Sequence, residues 1–137
     1  MENLVTIKSG SDKELKIFNG TPHEINIVAG AEFDSTIRKF VGGEVINTIP
    51  STKMLNAKIE SVELMGFGKS LPLFDKDIVD CDEYPSGPDV VIVSVIYASA
   101  YRKKFGFVPN SMYIVADPVM TSNGKTFLGC RGLAKPF

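Results

Sequence analysis

Three corners in this chain set a proline beside polar side chains: Thr21-Pro22-His23, Pro50-Ser51-Thr52-Lys53 and Val108-Pro109-Asn110. Proline holds each corner rigid. Hydroxyl, imidazole, ammonium and amide groups beside it can make directional contacts with a ligand. The plainer reading of each corner is a turn. Asn19 precedes the first corner and can read a base edge or a ribose, as can Thr21 and Asn110. Arg131 stands in an otherwise small, apolar segment, Leu128-Gly129-Cys130-Arg131-Gly132-Leu133. A guanidinium there can fork onto phosphate or stack on a base, or serve as an ordinary surface arginine. Glycines around it permit close approach of another backbone or a ligand. Tyr97 and Tyr101 can stack on a base or fill core. The candidate ligand-binding set is therefore Asn19, Thr21, Pro22, His23, Ser51, Thr52, Lys53, Ser94, Tyr97, Tyr101, Asn110 and Arg131.

Reactive chemistry finds less support. His23 is the only histidine, and Cys81 and Cys130 are isolated cysteines without metal-ligand spacing. A Cys–His nucleophilic pair is formally available but has no local signature. Gly68-Lys69-Ser70 imitates a phosphate loop, yet the position that needs its first glycine holds Glu63, which would repel phosphate. A calcium loop starting at Asp75 would place Val79 at a ligand position, Asp80 at the glycine position and Ser86 at the bidentate glutamate. The acidic cluster Asp75, Asp77, Asp80, Asp82 and Glu83 reads instead as a solvated loop. No catalytic residue, metal or cofactor is expected.

The elements that position these groups centre on residues 89–106. Val90 to Val93 is an unbroken β-branched run, as in a strand covered on both faces. After Ser94, Tyr97, Tyr101 and Phe105 fall four apart, on one side of a helix. Arg102-Lys103-Lys104 and then Gly106 close that helix, predicted at about 95–105. Ser94 sits at the junction, either as a cap or beside an anion site made by free backbone N–H groups.

At 137 residues the chain is long enough to bury a core without staples. Its formal net charge of −1 leaves no whole-chain footprint for duplex nucleic acid. No apolar run reaches membrane-spanning length, and no secretory leader is read, so both cysteines are expected as free thiols in a reducing cytosol. Residues 1–18 read as an N-terminal β-hairpin arm, turning at Ser9-Gly10-Ser11-Asp12, and 19–137 as a single domain. Strands are predicted at 24–28, 44–49, 55–65, 111–116 and 126–132. Gly30 to Gly43 is expected as a loop with one helical turn, 69–88 as an irregular connection, and Asp117-Pro118 as a turn. Ser122-Asn123-Gly124-Lys125 is the clearest hairpin turn. The tally argues α+β, a mostly antiparallel or mixed sheet with one principal helix packed on it.

Several of these segments together resemble a family of small proteins common in tailed bacteriophages and prophages. The residues that carry the resemblance are Asn19-Gly20-Thr21-Pro22-His23-Glu24-Ile25, Pro50-Ser51, Val91-Ile92-Val93-Ser94 and Leu128-Gly129-Cys130-Arg131-Gly132-Leu133. Two departures stand out. Gly20 replaces the family's usual leucine, and Asn56-Ala57-Lys58 lies where Ala-Arg-Val is common, leaving Lys53 or Lys58 to supply the basic contact. The chain is also similar to phage anti-CBASS nucleotide sponges. That resemblance implies a homo-oligomer, a tetramer, acting in the cytoplasm of the infected bacterium. It would sequester a cyclic (di)nucleotide such as cyclic GMP–AMP without cleaving it. The alternatives are a host-takeover protein, binding through a sheet edge or the acidic 75–83 loop, and a metal-dependent phosphodiesterase.

Overall fold

The computed structural model describes residues 4–8, 13–64 and 72–137. In chain order the elements are β1 (Val5–Lys8), β2 (Glu14–Asn19), β3 (Ile25–Ala29), β4 (Glu32–Asp34), β5 (Lys39–Val41), β6 (Glu44–Ile49), β7 (Ala57–Glu63), β8 (Phe74–Cys81), β9 (Val90–Ile92), α1 (Val95–Phe105), β10 (Met112–Met120) and β11 (Phe127–Ala134). The main sheet runs β1-β2-β9-β10-β11-β3-β6, with β5 also on β10 and β4 on β5. β7 and β8 form a separate two-stranded sheet. The architecture is α+β.

β9 is central because both its edges are taken by parallel strands. Asn19 of β2 pairs with Ile92, and Tyr113 of β10 pairs with Ile92 from the other side. Alternation then sends neighbouring side chains to opposite cores. Phe18, Val91, Val93 and Met112 face α1, where they meet Tyr97, Ala98 and Leu55. Ile17, Ile92 and Cys130 face the other way and meet Ile25 and Ile49. The sheet curls around this second core until the end of β6 returns to β2. There the Thr52 N–H donates to the Asn19 carbonyl (2.9 Å).

Helix α1 forms where the periodicity predicts it. The Ser94 hydroxyl accepts the Tyr97 N–H (3.1 Å) as an N-cap. Gly106 takes a left-handed conformation (φ 82°) and donates its N–H to the Arg102 carbonyl. The predicted turn at 122–125 is also present, with Gly124 donating to the Thr121 carbonyl (2.7 Å).

Four expectations are corrected. The hairpin of residues 1–18 is no appended arm, because β2 lies inside the sheet and places Ile17 and Phe18 in the two cores. Gly30 to Gly43 contains the β4–β5 hairpin rather than a helical turn, and β5 runs parallel to the end of β10. Residues 74–81, expected as loop, are strand β8, paired antiparallel with β7. Asp117-Pro118 does not end its strand. Asp117 bends the chain at φ 54° and β10 continues to Met120. The Ser9–Asp12 turn, Gly66-Phe67-Gly68 and Gly68-Lys69-Ser70 lie outside the described residues. No helix among the described residues is long and apolar enough to cross a membrane.

Candidate functional site

Two of the proline corners meet. Asn19, at the end of β2, is fully buried (0 % exposed) and every polar group of its side chain is engaged. Its Nδ2 donates to the carbonyls of His23 (2.9 Å) and Ile49 (3.1 Å). Its Oδ1 accepts the N–H (3.0 Å) and the hydroxyl (2.7 Å) of Thr21. The Asn19 N–H donates to the Thr52 hydroxyl (3.0 Å), and the Ser51 hydroxyl donates to the Thr21 carbonyl (2.6 Å). Asn19, Thr21, Ser51 and Thr52 thus tie the first two corners into one knot. Their polar atoms satisfy one another, so Asn19 has nothing left with which to read a base edge. Pro22 and His23 project from the knot, exposed.

On one flank of the knot lies a groove of about 530 Å³. Thr21, His23 and Glu24 form one side, and Phe127, Leu128 and Gly129 the other. Its floor is apolar: Ile25, Val115 and the buried Cys130. The parallel pairing of Cys130 with Ile27 brings the walls together. Gly129 is required there, because a Cβ at that position would lie 2.9 Å from both Asn26 Cβ and Val28 Cγ2. The close approach that Gly129 permits is therefore of another backbone, β3, while Gly132 has nothing within 4 Å of an added Cβ. Phe127 is 64 % exposed, an uncovered ring on the rim. His23 and Cys130 line the same groove. However, burial pushes the Cys130 thiol up from its ordinary range, which opposes formation of a thiolate nucleophile.

The remaining candidates lie elsewhere. Arg131 follows Cys130 and so points to the opposite face of β11. There its guanidinium sits over the Phe40 ring (4.4 Å) and pairs with Asp117 (3.3 Å). Asn110 is in the turn that precedes β10, where its carbonyl accepts from Lys135 Nζ. Ser94 is at the opposite end of the parallel strands from Asn110, two residues past Ile92, which pairs with Asn19. The Ser94 hydroxyl is occupied by its capping bond, and the first turn of α1 exposes Val95 and Ile96 rather than a cation. Lys53 is exposed in a different recess, beside Tyr84 and Pro85.

The two tyrosines belong to the helix side. Tyr97 is 0 % exposed and donates its hydroxyl to the Asp82 carbonyl (2.7 Å). Burial pushes its phenol above the ordinary tyrosine range. It is core and cannot stack on a ligand. Tyr101 is half-buried, one turn on, against Tyr84 (5.5 Å between ring centres) and Phe105 (4.5 Å).

Of the twelve candidates, the structure joins Asn19, Thr21, Pro22, His23, Ser51 and Thr52. Tyr97, Tyr101, Asn110 and Arg131 take no part in the knot, Lys53 reaches it only through its backbone N–H, which donates to the Asn19 carbonyl (3.4 Å), and the Ser94 hydroxyl is spent on the helix cap. Sequence reasoning missed Glu24, Asn26, Val115 and Phe127 as groove residues. An aromatic directly after a hairpin turn was the available signal for Phe127. Gly20 carries a further constraint. A Cβ there would lie 2.8 Å from the Ile92 carbonyl oxygen and 2.8 Å from Leu55 Cδ1, so a leucine has no room in this backbone. No protein-family model, curated protein or solved structure matches this chain.

Proposed function

We propose that this chain is a phage anti-defence protein. On this reading it holds a cyclic (di)nucleotide, such as cyclic GMP–AMP, in the groove between the Thr21-Pro22-His23 corner and the Leu128–Cys130 segment, and does not cleave it. The observation that supports this reading is the groove itself. It joins two segments from opposite ends of the chain, and both belong to the motifs that carry the family resemblance. Its volume lies in the ~300–1,000 Å³ range of ligand pockets, mostly apolar with a few polar groups at the rim. A purine can lay one face on the apolar floor and stack against Phe127. Thr21 and His23 are the polar groups on that side. The phosphates would sit toward His23 and away from the Glu24 carboxylate, which repels them. The setting is the cytoplasm of an infected bacterium, and the assembly is a homo-oligomer.

The test is a titration with a panel of cyclic mono- and dinucleotides, followed by heat denaturation and recovery of the ligand. Saturable binding with the ligand returned intact supports the reading. Phe127→Ala and His23→Ala should each weaken binding by about tenfold without altering the fold, since both side chains are exposed. Failure of every nucleotide to bind would remove the reading. Return of a linear product would make the chain a phosphodiesterase instead.

A further inference from the structure

On the other face of the sheet a second recess, about 400 Å³, opens between α1 and residues 81–84. Tyr84, Tyr101 and Phe105 supply three aromatic rings to its lining. The Tyr101 ring lies at 60° to that of Tyr84 and 39° to that of Phe105, so the rings form an angled wall rather than a flat stack. Asp82 and Glu83 bring two carboxylates to the same lining. Asp82 is fixed by the Asn56 N–H (2.8 Å). Glu83 is exposed and forms no ion pair among the described residues. Lys104 also lines the recess, but its ammonium is bonded to Asp80 (2.6 Å). Within the lining, Asp82 and Glu83 therefore set two negative charges against Lys104, whose own charge is engaged by Asp80 outside it.

We infer that this recess binds a small organic cation with a methylated ammonium head, its methyl groups against Tyr84 and Tyr101 and its charge facing Glu83. Two features argue for that class over others. Aromatic faces carry negative electrostatic potential and attract cations within about 6 Å of the ring centre. The protein already uses this attraction here, since the Lys104 ammonium sits 5.4 Å from the centre of the Phe105 ring. A phosphate would meet the Asp82 and Glu83 carboxylates, and a neutral apolar guest would gain nothing from them. The ammonium of an unmodified lysine, strongly hydrated, loses more water on entry than a methylated one. This inference is independent of the groove on the opposite face.

The probe is choline, compared with its neutral isostere 3,3-dimethylbutan-1-ol. Binding is followed by proton NMR of the N-methyl signal and of the tyrosine and phenylalanine rings. The ring faces should shift the choline N-methyl signal upfield, and choline should bind at least about tenfold tighter than the isostere. Glu83→Gln, at an exposed site, should weaken choline about threefold and leave the isostere unchanged. Tyr101→Leu should abolish the upfield shift, with retention of the Tyr97 and Tyr84 ring signals as the check on folding. Equal affinity for the two probes, or shifts confined to Phe127 and His23, would overturn the assignment.

Discussion

Asn19 Oδ1 accepts two hydrogen bonds from Thr21, one from its N–H at 3.0 Å and one from its hydroxyl at 2.7 Å. With both Nδ2 hydrogens spent on the carbonyls of His23 and Ile49, this buried amide is the pin that closes the curled sheet. Asn19→Ala strips partners from all of these groups at once. It should cost about 3 kcal/mol of stability, read from the urea unfolding midpoint. Thr21→Val removes one hydroxyl and should cost about 1 kcal/mol. A ligand-reading asparagine would behave differently, losing affinity with stability unchanged.

Gly20 tests the backbone of the same corner. Its N–H donates to the Ile92 carbonyl at 2.8 Å, the bond that locks β2 to β9 beyond their last paired residues. That carbonyl oxygen is one of the two atoms an added Cβ would crowd, and backbone cannot swing aside as a side chain can. Gly20→Leu should therefore destabilise by about 2 kcal/mol or more, seen as a lowered thermal midpoint. Gly132→Ala, where no atom lies within 4 Å of the added Cβ, is the control and should be close to neutral.

What was legible in the sequence was what is local. Ser94, the four-residue spacing of Tyr97, Tyr101 and Phe105, and Gly106 define α1 without reference to any other segment. β8 was not legible. Phe74-Asp75-Lys76-Asp77 carries no buried alternation, and the strand exists because it pairs with β7 and because Asp77 and Asp80 meet Lys103 and Lys104. The site was half legible for the same reason. The Asn19–His23 corner announced itself, but its union with residues 127–130 depends on the long-range pairing of Cys130 with Ile27. The orientation of Arg131 was available from strand parity, since its neighbour Cys130 is a small apolar residue that faces the core.

Arg131 makes that parity argument measurable. Its guanidinium is held on the far face by Asp117 and Phe40. Arg131→Ala should leave nucleotide affinity in the groove unchanged, while Phe127→Ala lowers it about tenfold. The same titration checks both. Loss of binding in the arginine variant would place the phosphate site on the opposite face.

The buried tyrosines set an alkaline limit. Burial raises the phenols of Tyr84 and Tyr97 above their ordinary value, Tyr97 the more strongly. A folded value above the unfolded one stabilises the fold below the unfolded value, and that contribution is lost as pH rises past about 10. Ultraviolet titration should show the Tyr84 and Tyr97 phenolates forming late, above pH about 10, that of Tyr97 only as the protein unfolds. Tyr97→Phe should remove most of the late phase. It also leaves the Asp82 carbonyl without its donor, at a cost of about 1 kcal/mol.

The β7–β8 hairpin is joined to α1 by charge, and its response to acid follows from that. Lys103 pairs with Asp77 and Lys104 with Asp80. All four side chains are about half exposed or more, so salt should weaken both pairs. The hydrogen bond and charge of Lys104 hold the Asp80 carboxyl below its ordinary range. A depressed folded value stabilises above the unfolded one, and the contribution is lost as pH falls below about 4. The amides of residues 57–63 and 74–81 should then exchange faster with solvent, while those of β9 and α1 keep their protection. Lys104→Met should produce the same local loosening at neutral pH. Uniform acceleration across the whole sheet would show instead that the hairpin and the main sheet open as one unit.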